Sequence, residues 1–273
     1  MINWLKNRFP VIILGVPAVL YLLYLGGYPF AIFMNLVIII ALYEFYKLKS
    51  DSDTSPIIWL GLVATIPISF IYFQLPEVNL NLVLITFFGL LLVALLWELF
   101  RNVPNPYGNL MTTLGGLQYV ALLLGSLIAL RNWDSVHSAT VTMGMVIAVW
   151  ICDSAAYLFG KAWGKQKLIE RVSPNKTVVG YFGGILGAFL VFWLLDSQEF
   201  FGIEFTFIDI VVMTIIVGIF GQLGDFVESL FKRDAQIKDS GKILLGHGGV
   251  LDRFDSLMFT SPLTLIYLLT KFK

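Results

Sequence analysis

Apolar runs of roughly bilayer-crossing length alternate along the chain with short polar breaks. A membrane-spanning helix needs ~20 mostly apolar residues. That length divides the chain into nine predicted spans: Phe9 to Leu25, Tyr28 to Tyr46, Pro56 to Phe73, Leu80 to Phe100, Leu110 to Leu130, Thr140 to Gly160, Val178 to Leu195, Phe207 to Gly224, and Leu257 to Thr270. The breaks carry turn chemistry, at Gly26-Gly27, Ser50 to Ser55, Pro104-Asn105-Pro106 and Lys161 to Thr177. None has the composition of a flexible linker, and no fixed-period repeat crosses the spans. The expectation is one all-α polytopic membrane domain over residues 1–273, with residues 1–135 mainly scaffold and residues 136–273 carrying the active site. Lys6 and Arg8 precede the first span and no small-residue cleavage motif follows it, so it is expected to be retained.

Composition agrees with this division. The chain is 58% hydrophobic, 15% aromatic and 13% charged, with a mean hydropathy of +0.84, whereas soluble domains carry about 25% charged residues. So little polar surface excludes a soluble enzyme, a disordered linker and a disulfide scaffold. The single Cys152 sits in an apolar run and is expected to pack as a small hydrophobe. Eighteen basic residues balance eighteen acidic ones, which argues against a nucleic-acid partner. Their placement is more informative than their sum. With the N-terminus in the cytoplasm, only Arg131, Lys271 and Lys273 fall outside, leaving 15 of the 18 cations inside, as the positive-inside rule requires. The working face is therefore expected to be cytoplasmic, on a protein integral to the cell's inner membrane.

Two inside segments are long and dense in charge, Lys161 to Thr177 and Asp225 to Ser256. Basic residues there could set topology and bind anionic headgroups, but that leaves the acids among them unexplained. Asp153 lies ~10 Å of helix inside the sixth span, where an ionised carboxylate costs up to about 2.5–3.5 kcal/mol and needs a cation, a partner or water. Asp225 closes the eighth span with Glu228 one turn on, and Asp252 and Asp255 precede the ninth at helical spacing. Convergent carboxylates beside Lys and Arg suit a hard divalent cation whose remaining ligands are water and phosphate. The alternative for Asp252, Arg253 and Asp255 is surface ion pairing. In His247-Gly248-Gly249, consecutive glycines allow backbone to approach an anion, although a plain turn is the commoner use. Gly180, Gly184 and Gly183, Gly187 form small-xxx-small pairs, the pattern of close helix packing. His137, in an outside loop with no neighbouring acid, is read as incidental.

Taken together, Ser229-Leu-Phe-Lys232-Arg233, Lys238-Asp239-Ser240-Gly241 and His247-Gly248-Gly249-Val-Leu-Asp252-Arg253-Phe254-Asp255 closely resemble the C-terminal signature of phosphatidate cytidylyltransferases, or CDP-diacylglycerol synthases. A second match lies upstream, at Asp153-Ser154-Ala155-Ala156-Tyr157, Gly160, Gly164-Lys165, and Ser173-Pro174-Asn175-Lys176-Thr177 with Gly180. The likeness is strong over the C-terminal half and extends to the N-terminal half in hydropathy. Val179 stands where the family commonly has Glu, and Leu245 where it has Pro or a small residue. The resemblance implies transfer of a cytidylyl group from CTP to phosphatidate, giving CDP-diacylglycerol and pyrophosphate, with Mg²⁺. It implies Asp225 and Asp252 as metal ligands, with Asp153 and Asp255 joining them or supporting a second cation. Lys176, Lys232, Arg233, Lys238 and Arg253 would hold phosphates. Ser173, Thr177, Gly248 and Gly249 would belong to the substrate-binding loops, and Ser229, Asp239 and His247 to the catalytic motif. A homodimer is also implied.

Three other readings compete. A CTP-dependent polyisoprenol or phytol kinase would use similar residues to move the γ-phosphoryl group. An ion-coupled transporter would use Asp153 but has no need of the cation-rich segments, and no paired inverted halves are visible. A headgroup-binding scaffold would need only the basic residues.

Overall fold

The computed structural model describes residues 15–48, 54–75, 77–241 and 248–272. Among the described residues the chain is helical without a strand, in nine rods: α1 (Gly15–Leu25), α2 (Gly27–Leu48), α3 (Ile58–Phe73), α4 (Leu80–Arg101), α5 (Pro106–Asn132), α6 (Ser138–Trp163), α7 (Val178–Ser197), α8 (Phe207–Asp234) and α9 (Leu251–Lys271). Six of them, α2 and α4 to α8, are long and apolar enough to cross a membrane. α1 and α3 are shorter apolar helices, and α9 carries Asp252, Arg253 and Asp255 in its first turns.

Helix ends follow local chemistry. Asn79 caps α4 through Asn81 N at 2.8 Å, and Asn105 caps α5 through Gly108 N at 3.1 Å. Thr206 and Asp209 form a reciprocal capping box at the start of α8. Two rods run furthest beyond their predicted spans. α8 continues past Gly224 to Asp234 because its last turns are amphipathic, with Phe226 buried and Asp234 at the surface. α9 begins at Leu251, six residues before the predicted span, where side-chain carboxylates accept the N–H groups of Gly249 and Leu251.

Glycine decides how α6 and α7 pack. A methyl group on Gly180 would stand 2.6 Å from the Ala156 carbonyl oxygen, on Gly184 2.8 Å from Gln222 Nε2, and on Gly187 2.8 Å from the Ala155 methyl. The small-xxx-small pattern is thus spent on close backbone approach, with Cys152 buried in the seam. Polar groups tie the two ends of the bundle. At one, Asn109 Nδ2 donates to Glu98 Oε1 at 2.6 Å and Arg101 Nη1 to the Ser55 carbonyl at 2.7 Å. At the other, Arg131 donates to the carbonyls of Leu23 and Tyr24 at the C-terminus of α1, at 2.5 and 3.0 Å, and to Ser138 Oγ. A cation at a helix C-terminus satisfies carbonyls that have no intrahelical partner. By contrast, α4 is almost wholly unburied and apolar, as a lipid-facing helix must be.

Candidate active site

The site is assembled at the ends of α6, α7, α8 and α9 that lie beside the C-terminal half of α2. The loop between α6 and α7 is closed on itself: Leu168 N donates to the Lys176 carbonyl at 3.1 Å and Val178 N to the Gln166 carbonyl at 3.0 Å. Thr177 Oγ1 then accepts from Gly180 N at 3.1 Å and starts α7. Its hydroxyl is therefore committed to capping. This closure brings Lys176 Nζ to Asp225 Oδ2 at 2.5 Å and over the Phe226 ring at 4.5 Å. In α8, a π-helical turn at Ile216–Gly221 precedes Gln222 and Asp225. Gln222 Nε2 donates to the Gly218 and Tyr181 carbonyls at 2.6 and 3.0 Å, which fixes the phase of the following turns.

Two acidic nodes result. In the first, Asp225, Glu228 and Asp255 bring ligand oxygens within 4.8 Å of one another. Ser229 Oγ donates to Asp225 Oδ1 at 3.3 Å, and Ser256 N to Asp255 Oδ1 at 2.7 Å. Glu228 is fully buried; Lys232 approaches its Oε2 as an ion pair, yet among the described residues neither carboxylate oxygen has an aligned hydrogen bond. Three hard oxygen donors with spare lone pairs fit a divalent cation such as Mg²⁺. Asp153 is within electrostatic reach of Asp225, Lys176 and Arg253. It lies deep in the molecule but its surface is open, because it faces an internal cavity. In the second node, Asp252 Oδ1 takes Lys232 Nζ at 2.7 Å, while Oδ2 accepts Gly249 N at 2.7 Å and Ser240 N at 3.0 Å. Gly248 has φ +83°, and a methyl there would stand 2.6 Å from Asp252 Oδ2. The turn needs glycine for both reasons.

One cavity of about 1240 Å³ joins this chemistry to lipid-like surface. Asp153, Lys176, Thr177, Asp225, Asp252, Arg253 and Asp255 line its polar part; Val16, Val19 and Leu23 of α1 and Phe30, Phe33 and Met34 of α2 line its apolar part. A single small ligand usually occupies ~300–1,000 Å³, so the volume exceeds what one such ligand needs.

Of the residues expected from sequence, Asp153, Lys176, Thr177, Asp225, Asp252, Arg253 and Asp255 meet in the cavity, and Ser229, Lys232, Gly248 and Gly249 support it from behind. Arg233 turns its Nε onto the Val172 carbonyl at 3.1 Å. Ser173, Lys238 and Asp239 do not line the cavity, and Lys238 and Asp239 are exposed. His247 and Leu245 lie outside the described residues. Lys161, Lys167 and Asn175, in or beside the α6–α7 loop, also line the cavity. Two further residues were not singled out for chemistry, although helical spacing from Asp225 pointed to the first: Glu228, and Tyr119 on α5, whose buried hydroxyl has no hydrogen-bond partner among the described residues and lies within electrostatic reach of Asp255, Glu228 and Asp225.

The profile of the cytidylyltransferase family matches residues 6–271. A phosphatidate cytidylyltransferase of Bacillus subtilis strain 168 is 33% identical over 272 residues, 98% of this chain and 98% of that protein. Phosphatidate cytidylyltransferases of Staphylococcus epidermidis and Staphylococcus aureus strain COL are 51% and 49% identical over 123 residues, 45% of this chain and 46% of theirs.

Proposed function

Because the chain belongs to the cytidylyltransferase family and transfers the cytidylyl group of CTP to phosphatidate, forming CDP-diacylglycerol, we propose that the cavity between α6, α7, α8 and α9 is where the two substrates react. The observation that carries this is the continuity of one cavity from an acid- and cation-lined pole to an apolar wall from α1 and α2. CTP takes the polar pole. Phosphatidate brings its phosphate to the same pole with its acyl chains along Leu23, Phe30 and Met34.

In the reaction a phosphate oxygen of phosphatidate bonds to the α-phosphorus of CTP, the bond from that phosphorus to the bridging oxygen breaks, and pyrophosphate leaves. The attacking phosphate is mostly ionised at neutral pH, since its second pKa is ~6, so no protein base is required. What must be overcome is repulsion between two polyanions. Asp225, Glu228 and Asp255 would hold Mg²⁺, with Asp153 and Asp252 completing its surroundings or a second cation's. A cation held by these carboxylates would supply positive charge against the phosphates and against the charge that develops on pyrophosphate. Lys176 and Arg253 contribute positive charge from the cavity wall, and Lys232 holds Asp252 in place. Catalysis on this reading is positioning and electrostatics.

The nine rods are read as nine crossings with the N-terminus and the site on the cytoplasmic side. The balance of basic residues supports this orientation, as does CTP, a polyanion that does not cross a bilayer. The test uses inverted and right-side-out membrane vesicles with externally added CTP and Mg²⁺. Product from inverted vesicles alone is expected; product from sealed right-side-out vesicles would overturn the orientation. Chelation should abolish turnover and Mg²⁺ restore it, and full activity in chelator would overturn the metal assignment.

A further inference from the structure

Glu44 is the one acid of α2 and is only 3% exposed. An acid so deep in an apolar helix is costly unless its charge is hydrogen-bonded; among the described residues Oε1 has no hydrogen-bond partner, and Oε2 carries the contacts. Among the described residues no cation is paired with it. Its partners come from the far end of the chain: Oε2 accepts the Leu251 N–H at 2.9 Å and the Ser240 hydroxyl at 3.2 Å. Gly241 and Gly249 turn bare Cα atoms towards it, and a methyl group on either would overlap the Glu44 carboxylate. The same segment serves Asp252 on its other side, through the main-chain N–H groups of Ser240 and Gly249. Ser240 therefore gives its hydroxyl to Glu44 and its amide to Asp252, and α9 starts where both acids accept main-chain N–H groups.

We propose that Glu44 is a positioning residue for cytidylyl transfer: it anchors Ser240 and the first turn of α9, so that Asp252 is held by its two amides and Lys232 in the orientation the reaction uses. This rests on the assignment of Asp252 to the reacting centre. A wild-type rate in Asp252→Asn would remove that assignment, whereas a wild-type rate in Glu44→Ala alone removes only the role of Glu44. Because the anchor is an acceptor oxygen, the amide of Glu44→Gln can replace it.

The test compares wild type, Glu44→Ala, Glu44→Gln, Ser240→Ala and the Glu44→Ala/Ser240→Ala double variant as purified, monodisperse enzyme. Glu44→Ala is expected to lower kcat about 10- to 100-fold, the weight of hydrogen bonds to a charged group, with KM for CTP within about threefold of wild type. Glu44→Gln should stay within about threefold in kcat, and Ser240→Ala should cost little in the Glu44→Ala background. Independently of activity, tryptic cleavage after the exposed Lys238 should quicken in Glu44→Ala and not in Glu44→Gln. A Glu44→Ala kcat near wild type, a Glu44→Gln variant as slow as Glu44→Ala, or unaltered cleavage at Lys238 would each overturn the proposal. Should Glu44→Ala fail to fold, Ser240→Ala alone decides: a kcat loss of about 3- to 10-fold is expected, and a wild-type kcat overturns it.

Discussion

Replacing Asp252 by asparagine removes one charge and one acceptor with little change of shape. In the native site Oδ2 accepts Gly249 N at 2.7 Å and Ser240 N at 3.0 Å, and Oδ1 meets Lys232 Nζ at 2.7 Å. An asparagine keeps a single oxygen. Turned one way, its amide nitrogen faces the Lys232 ammonium; turned the other way, it faces two N–H donors. Either arrangement sacrifices at least one charge-assisted hydrogen bond, about 1.5–3 kcal/mol, and leaves Lys232 ion-paired with Glu228 but not with residue 252. Groups that stabilise charge developing in a transition state are each worth ~2.7–4 kcal/mol. The expected loss in kcat is therefore on the order of 10²- to 10³-fold. The assay is initial-rate formation of CDP-lipid by detergent-purified enzyme at saturating CTP and Mg²⁺, with size-exclusion profiles to show that the variant is folded. Glu204→Gln, at an exposed loop position remote from the cavity, should match wild type. A folded Asp252→Asn enzyme within about twofold of wild type would refute the reasoning.

Other expectations follow from the same geometry. Asp225→Asn releases Lys176 and removes one of three clustered carboxylates; half-maximal activation should need at least about tenfold more Mg²⁺, and an unshifted Mg²⁺ titration would contradict that role. Gly184→Val drives a branched side chain against Gln222 and the Cys152 carbonyl. Its overpacking cost of about 1–3 kcal/mol should lower the thermal midpoint of the purified protein by several degrees, and an unchanged midpoint would contradict close packing there. Met34→Trp fills the apolar wall of the cavity. It should raise KM for phosphatidate several-fold and leave KM for CTP unchanged; equal rises would argue against a lipid site along α2.

Hydropathy alone located the helices but not the ends of α8 and α9, because each backbone group in lipid must be satisfied within its own helix. The spacing of scarce acids pointed to the candidate site, because a charge in such a chain is retained only where something compensates it. Asp153, Asp225, Asp252 and Asp255 were legible for that reason, as were Gly180, Gly183, Gly184 and Gly187. What the acids do to one another was not legible. Asp252 is committed to Lys232 and two amides, while Glu228, visible one turn after Asp225, completes the compact cluster. Glu44 escaped notice because its partners lie 196 and 207 residues away and its neighbours in sequence are those of an ordinary apolar helix. The π-helical turns at Leu117–Leu122 and Ile216–Gly221 carry no residue signature, yet one of them supports Tyr119 and the other precedes Gln222 and Asp225.

Cytidylyl transfer requires the lipid phosphate to attack the α-phosphorus of CTP and not the γ-phosphorus. Purified protein with phosphatidate and Mg²⁺ should be given CTP labelled at the α-phosphate in one reaction and at the γ-phosphate in a second. Cytidylyl transfer predicts labelled lipid from the α-labelled nucleotide and labelled pyrophosphate from the γ-labelled one. Lipid labelled only from the γ-position would mean that the acids and cations around the cavity serve phosphoryl transfer instead, and would contradict the account.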